Sequence, residues 1–326
     1  MDIAVDLRGR HLLTMQEYTA EEIGGLLDLA AHLKQLRRTG IKPRHLAGRN
    51  IALVFLKPSC RTRMSFVVAA SDEGAHLEIF GAEEIRFGIK ESVRDVARVM
   101  GRMFDGIVFR GFEHEVVQEL AAYAGVPVWN GLCDRYHPTQ VLADLLTVRD
   151  VFGTLDGQPI CYVGDGRNNQ ARSLAIAAVM LGLDLRILGP PALLPDPAEL
   201  AALNASAAPG ANLLVTDDAK EAMAGAAVVY GDVWVSMGEE DQVAERIELL
   251  REFKVTPALL ALTGRTDSVY LHCLPAFHDE ETSFGRTHPG IQEVDDEVFE
   301  GPQSRVFDQA ENRMHTAKAL MVATVR

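Results

Sequence analysis

Short apolar runs alternate with segments of helical period along nearly the whole chain, and that rhythm limits the fold more than any other feature. Residues 51–55, 76–80, 106–109 and 126–130 read as strands, and residues 19–38, 63–70, 91–103, 113–124 and 138–152 as helices. In the first helix Leu26, Leu27, Leu29, Ala30, Leu33 and Leu36 recur near helical spacing, and Thr19 followed by Glu22 resembles a capping box. The rhythm then restarts. Residues 158–163, 184–188, 227–230 and 269–272 read as strands, 170–181 and 309–326 as helices, and 205–212, around Pro209-Gly210, as a loop. Strands alternating with helices demand parallel sheets covered on both faces. A chain of 326 residues is long for one core and suggests two domains of about 150 residues each. The expected fold is α/β, with two doubly wound domains, each a mostly parallel sheet with helices on both faces, linked by long helices. The domains are placed at 1–147, joined by 311–326, and at 148–310.

Charge and cysteine usage remove several function classes. The formal net charge is −14, so the basic footprint that nucleic acid requires is missing and no nucleic-acid partner is expected. No window reaches 18 uncharged apolar residues, so no membrane span is expected. Residues 1–10 carry Asp2, Asp6, Arg8 and Arg10 and no apolar signal core. The four cysteines, Cys60, Cys133, Cys161 and Cys273, form no CxxC pair. Reduced thiols and a cytoplasmic setting are expected.

In open α/β sheets, ligands bind beyond the carboxyl ends of the strands, so the turns after strands carry the functional reading. Ser59-Cys60-Arg61-Thr62-Arg63 follows one strand and opens a helix. Free backbone N–H groups, two guanidinium groups and two hydroxyls there suit an anion, although an ordinary solvated helix start fits the same residues. Arg110 ends the strand at 106–109, where it is either a surface charge or an anion contact. His137-Pro138-Thr139-Gln140 places proline in a first helical turn, with two side chains able to donate to a carbonyl or phosphate oxygen. A purely structural histidine fits that spacing as well. His272-Cys273-Leu274-Pro275 follows the strand at 269–272, and inert packing is the commoner role for such a cysteine. Gly164-Asp-Gly-Arg-Asn-Asn169 also follows a strand, but it lacks the GxGxxG spacing of a dinucleotide loop. Its paired amides suit an amino-acid carboxylate or amine.

Taken together, these turns resemble the ornithine carbamoyltransferase family over almost the whole chain, from Leu12-Leu-Thr-Met to Arg326. The motifs that carry the likeness are Lys57-Pro-Ser-Cys-Arg-Thr-Arg63, Lys90-Glu91-Ser92, Phe109-Arg110-Gly111, His137-Pro-Thr-Gln140, Gly164-Asp-Gly-Arg-Asn-Asn169, Asp232-Val-Trp-Val-Ser-Met-Gly238, His272-Cys-Leu-Pro-Ala-Phe277 and Glu311-Asn-Arg-Met-His-Thr316. The resemblance implies transfer of the carbamoyl group of carbamoyl phosphate to the side-chain amine of L-ornithine, giving citrulline and phosphate in arginine metabolism. It implies a carbamoyl-phosphate-binding domain at 1–147 and an ornithine-binding domain at 148–310. For carbamoyl phosphate it implies Ser59, Cys60, Arg61, Thr62, Arg86, Arg110, His137, Gln140, Cys273, Leu274 and Arg313. For ornithine it implies Asn169, Asp232, Ser236 and Met237, with Arg110, His137, Cys273 and Asp232 nearest the chemistry. It implies a homotrimer with shared active sites and neither metal nor organic cofactor.

The chain departs from the usual family pattern at Leu56, Cys60, Arg86 and Ile89. Leu56, Arg86 and the segment Arg110-Gly-Phe-Glu-His-Glu115 look like the subgroup that resists the phosphate-mimicking toxin phaseolotoxin, in which the motif holding Cys60 is also altered. A phosphate pocket reshaped by Arg86 is the functional expectation, since a guanidinium differs from an amide in charge and hydrogen-bond geometry. Lineage drift with Arg86 on the surface is the alternative. The principal rival for the activity is a carbamoyltransferase with another amine acceptor.

Overall fold

The structure, a computed structural model, describes residues 5–236 and 238–325, with Glu240 described by its backbone only. Met237, an expected ornithine contact, and Arg326, the expected end of the last helix, lie outside the described residues. The chain divides into two compact units, Met1–Leu146 with Glu311–Arg326, and Thr147–Ala310. No helix of the described residues is long and apolar enough to cross a membrane.

The first unit carries α1 (Ala20–Arg38), β1 (Asn50–Phe55), α2 (Cys60–Glu73), β2 (His76–Gly81), α3 (Val93–Met103), β3 (Gly106–Arg110), α4 (His114–Ala124), β4 (Val128–Leu132) and the start of α5 (Pro138–Phe152). The capping box at Thr19 and Glu22 is present. The strands are parallel in the order β2-β1-β3-β4. Strands β1, β3 and most of β4 are buried on both faces, as expected of a covered parallel sheet. Ala52, Val54, Ile107, Phe109 and Val128 pack against Met100 of α3 and Val117 and Leu120 of α4. Helix α2 starts three residues before the expected 63, because the Ser59 side chain accepts from Thr62 N and caps it there.

The second unit carries β5 (Ile160–Val163), α6 (Asn169–Leu181), β6 (Asp184–Leu188), α7 (Pro197–Asn204), β7 (Asn212–Thr216), α8 (Ala219–Met223), β8 (Val228–Gly231), α9 (Val243–Leu250), α10 (Pro257–Ala261), β9 (Val269–His272), α11 (Ser283–Thr287) and α12 (Asp296–Phe299). Its sheet is also parallel, in the order β7-β6-β5-β8-β9. Strand β7 was not among the expected strands. It is a half-exposed edge strand whose apolar run Leu213-Leu214-Val215 follows directly on the 205–212 loop. Both domains of the expected doubly wound fold are therefore present.

The last helix, α13 (Val306–Thr324), starts in the second unit and ends in the first. Within the first unit Lys318 forms an ion pair of 2.6 Å with Asp72 of α2, and Lys34 of α1 donates to Asn312 at 2.7 Å. Trp129 of β4 donates to Thr324 at 3.1 Å. His315 is buried on the same helix, 3.1 Å from Glu311. Burial pushes its pKa down from 6.5 to about 4, against the opposing pull of the Glu311 hydrogen bond. The unfolded chain therefore binds this proton below pH 6.5 while the folded chain refuses it down to about pH 4. That contribution to stability is full above the unfolded value and is lost as pH falls between the two. The change in thermal midpoint between pH 7 and pH 5 is expected to be less unfavourable in H315Q than in the parent. Melting curves by circular dichroism at both pH values test this; an equal change in the two proteins contradicts it.

Candidate active site

Strand order decides which turns meet. In the first unit the order reverses between β1 and β3, and Phe55 stands in register with Arg110. A doubly wound sheet opens its crevice at such a reversal. The start of α2 therefore lies beside the end of β3. Thr62 is fully buried in the first turn of α2, and its hydroxyl accepts from Arg110 at 3.5 Å and from Arg313 of α13. Arg110 is itself buried and also donates to the Gly131 carbonyl at 3.4 Å. Glycine at 131 eases this approach, since a Cβ there would sit 3.1 Å from the Thr62 methyl and 3.2 Å from the Phe109 carbonyl.

His137 and Gln140 enter from the start of α5, and both are buried. Burial first, and then the guanidinium groups of Arg313, Arg110 and Arg61, hold His137 well below the usual histidine pKa. It is thus a neutral imidazole near neutral pH, able to donate from one nitrogen. Gln140 donates to Asp144 at 2.9 Å, while its Oε1 is buried with no hydrogen-bond partner. The cluster of Ser59, Arg61, Thr62, Arg110, His137 and Arg313 joins three guanidinium groups to a helix N-terminus. Such a set suits a dianion. Cys60 is exposed at the start of α2.

Arg86 has a different neighbourhood. It is exposed and pairs with Glu83 at 2.7 Å. With Leu56, Phe112 and Glu113 it lines an open cavity of about 680 Å³, and none of Arg61, Arg110 or His137 lines that cavity.

In the second unit the order reverses between β5 and β8, with Val163 in register with Gly231. Strand β9 flanks β8, with Gly231 in register with His272. The residues after β8 and β9, Asp232 and Cys273, are therefore neighbours. Buried Asp232 accepts from the Cys273 thiol at 3.0 Å, from the Tyr162 hydroxyl at 3.0 Å and from Val233 N at 2.9 Å. Burial raises its pKa, against the opposing effects of His272, Cys273, Tyr162 and Val233 N–H. Leu274 has φ 57°, and its N–H donates to His272 Nδ1 at 2.9 Å, which places the ring proton on Nε2. Asn169 opens α6, directly after the Asn168 cap. Ser236 is half-buried and its N–H donates to Glu239 at 3.1 Å. Nothing in the sequence marks Tyr162, which sits inside an apolar strand; only the fold aims its hydroxyl at Asp232.

Among the described residues, His278, Asp279 and Asp296 bring ligand-type atoms within 4.8 Å of one another. His278 already lies 2.7 Å from Asp296 and stacks on Phe299, so an ordinary ion pair accounts for the group.

Two family models match the chain. Residues 10–150 match the carbamoyl-P binding domain of aspartate/ornithine carbamoyltransferase, and residues 156–324 match its Asp/Orn binding domain. The chain belongs to the aspartate/ornithine carbamoyltransferase family. Among curated relatives within that family, it is 53% identical over 320 residues to ornithine carbamoyltransferase 2, phaseolotoxin-insensitive, of Pseudomonas syringae pv. actinidiae, covering 98% of each chain. It is 50% identical over 331 residues to the catabolic ornithine carbamoyltransferase of Bacillus licheniformis, covering 100% of this chain and 99% of the relative. Among solved carbamoyltransferase structures, that from Pyrococcus furiosus superposes with a TM-score of 0.90 at 39% identity, covering 98% of both chains.

Proposed function

We infer that the chain is an ornithine carbamoyltransferase, moving the carbamoyl group of carbamoyl phosphate to the side-chain amine of L-ornithine and releasing citrulline and phosphate. The observation that carries this reading is a pair of polar clusters built at the two sheet reversals. One is cationic, around Thr62, and suits a phosphorylated donor. The other is centred on the buried Asp232 carboxylate and suits an amine.

In this reading Ser59, Cys60, Arg61, Thr62 and Arg313 hold the phosphate from the start of α2. Arg110 and neutral His137 donate to the carbamoyl oxygen, and Gln140 accepts from the carbamoyl amide. Asp232 and Cys273 orient the uncharged amine, with Leu274 at the carbamoyl group and Asn169, Ser236 and Met237 at the amino-acid end. The amine nitrogen forms the new C–N bond and the C–O bond to phosphate breaks. The amine proton leaves with the phosphate, so no covalent enzyme intermediate is needed. Charge developing on the carbamoyl oxygen meets donors already in place, and holding two substrates together removes much of the entropic barrier. Incubation with carbamoyl phosphate and ornithine should yield citrulline and phosphate in equal amounts. Phosphate without citrulline overturns the reading.

The reading extends to a homotrimer in the cytoplasm. Val99 and Met103 of α3 and Ile89 are exposed apolar side chains, which supports burial against a second copy. The four cysteines are all free, which supports a reducing compartment. Light scattering tests the trimer.

Insensitivity to phosphate-mimicking toxins is also proposed. The departures at Leu56 and Arg86, with Phe112 and Glu113 of the subgroup-like segment, share one cavity, which supports a joint effect. The double variant L56E/R86Q is expected to be inhibited at a toxin concentration about tenfold or more lower than the parent. Equal inhibition of the two sinks this proposal.

A further inference from the structure

Arg246 of α9 has no place in the reaction as derived, yet with Arg110 and Arg313 it is one of the buried arginines among the described residues, its side chain 8% exposed. Its Nη1 donates to Asp165 and its Nη2 donates to Glu239 at 2.9 Å. Each carboxylate holds a different loop. Asp165 lies in the turn after β5 that leads to Asn169. Its Oδ1 accepts from Arg167 N at 2.9 Å, and its carbonyl accepts from Asn168 N at 3.1 Å. That same carbonyl accepts from Tyr162 at 3.3 Å, and the Tyr162 hydroxyl is the one placed 3.0 Å from Asp232. Glu239 lies in the turn after β8. Its Oε2 accepts from Ser236 N at 3.1 Å, and its N–H donates back to the Ser236 carbonyl at 3.0 Å. One guanidinium therefore ties together the turn before Asn169, the turn carrying Ser236 and, through Tyr162, the Asp232 carboxylate.

A surface ion pair would serve stability as well or as poorly. Asp165 and Glu239 hold this guanidinium charged despite its burial, but a buried ion pair is weak evidence for stability. What the fork of Arg246 supplies is geometry, because a planar guanidinium holds two carboxylates at a fixed angle and separation. We propose that Arg246, bridging Asp165 and Glu239, is a positioning residue that sets the spacing of the two loops receiving the acceptor amino acid. It controls the affinity for ornithine and leaves the donor site alone. The inference rests on the ornithine carbamoyltransferase reading. The network lies wholly within the second unit, whereas the cationic cluster proposed for carbamoyl phosphate lies in the first.

The test is steady-state kinetics of the full-length protein with each substrate varied in turn. R246M, close in length and uncharged, is expected to raise KM for ornithine about tenfold or more. KM for carbamoyl phosphate should stay within about twofold of the parent, a change too small to mark a lost contact. R246K is expected to recover part of the loss, since an ammonium can hold one carboxylate but cannot fork between two. E239Q, which keeps its shape and removes one anchor, is expected to shift the ornithine KM in the same direction, and it stands in if R246M does not fold. If KM for both substrates moves together, or only the melting temperature falls, Arg246 is a structural residue and the proposal is overturned. Absence of ornithine turnover by the parent protein overturns the underlying reading and the inference with it. Parental turnover with unchanged ornithine KM in the variants overturns the inference alone.

Discussion

Replacing Arg110 by leucine is expected to lower kcat by roughly 10²- to 10³-fold, the usual cost of one oxyanion donor. Arg110 is buried, so its charge acts through protein and not through water. Its Nη1 donates to the Thr62 hydroxyl, which Arg313 shares, and to the Gly131 carbonyl, which restrains the guanidinium before substrate arrives. A preset donor costs no reorganisation when charge develops on the carbamoyl oxygen. Leucine fills most of the volume, so the loss should fall on kcat more than on folding. Phosphate binding should weaken as well, because one of three guanidinium groups is gone. Single-turnover kinetics at saturating carbamoyl phosphate separates the two effects. A variant within about threefold of the parent in kcat, far short of that usual cost, would remove Arg110 from the reaction.

The second large effect is expected at Asp232. D232N preserves shape but removes the charge that accepts from Cys273, Tyr162 and Val233. A hydrogen bond to a buried charge contributes about 1.5–3 kcal/mol, so kcat/KM for ornithine should fall roughly 10- to 100-fold. The amide nitrogen also brings a donor to face a donor, since Tyr162 or Cys273 then meets an N–H. KM for carbamoyl phosphate should change little. An unchanged kcat/KM for ornithine would mean that Asp232 merely caps the end of β8.

The strand-end logic made most of the candidate site legible in the sequence. Ser59, Arg61 and Arg110 follow apolar runs, and a parallel sheet leaves such turns at one edge. The pairing of Phe55 with Arg110, and of Val163 with Gly231, then turns a linear order of motifs into two clusters. What stayed hidden shares one physical cause. Tyr162 and Arg246 act through burial and direction, and neither is encoded by local pattern. Arg246 lies between Glu245 and Glu248 on a short helix, yet the fold buries it. Strand β7 differs from these, because its run Leu213-Leu214-Val215 is a local apolar pattern that directly follows the 205–212 loop. Helix α2 begins at Cys60 and not at the expected 63, with Ser59, one of the residues of the first anion-type turn, as its cap.

The measurement closest to the central claim compares acceptors. With carbamoyl phosphate saturating, kcat/KM is measured for ornithine, lysine, putrescine, diaminobutyrate and N-acetylornithine. Ornithine is expected to lead by about tenfold or more, about 1.4 kcal/mol of transition-state preference. If another amine leads, the fold and the donor site remain, but the cluster around Asp232 and Ser236 serves a different acceptor.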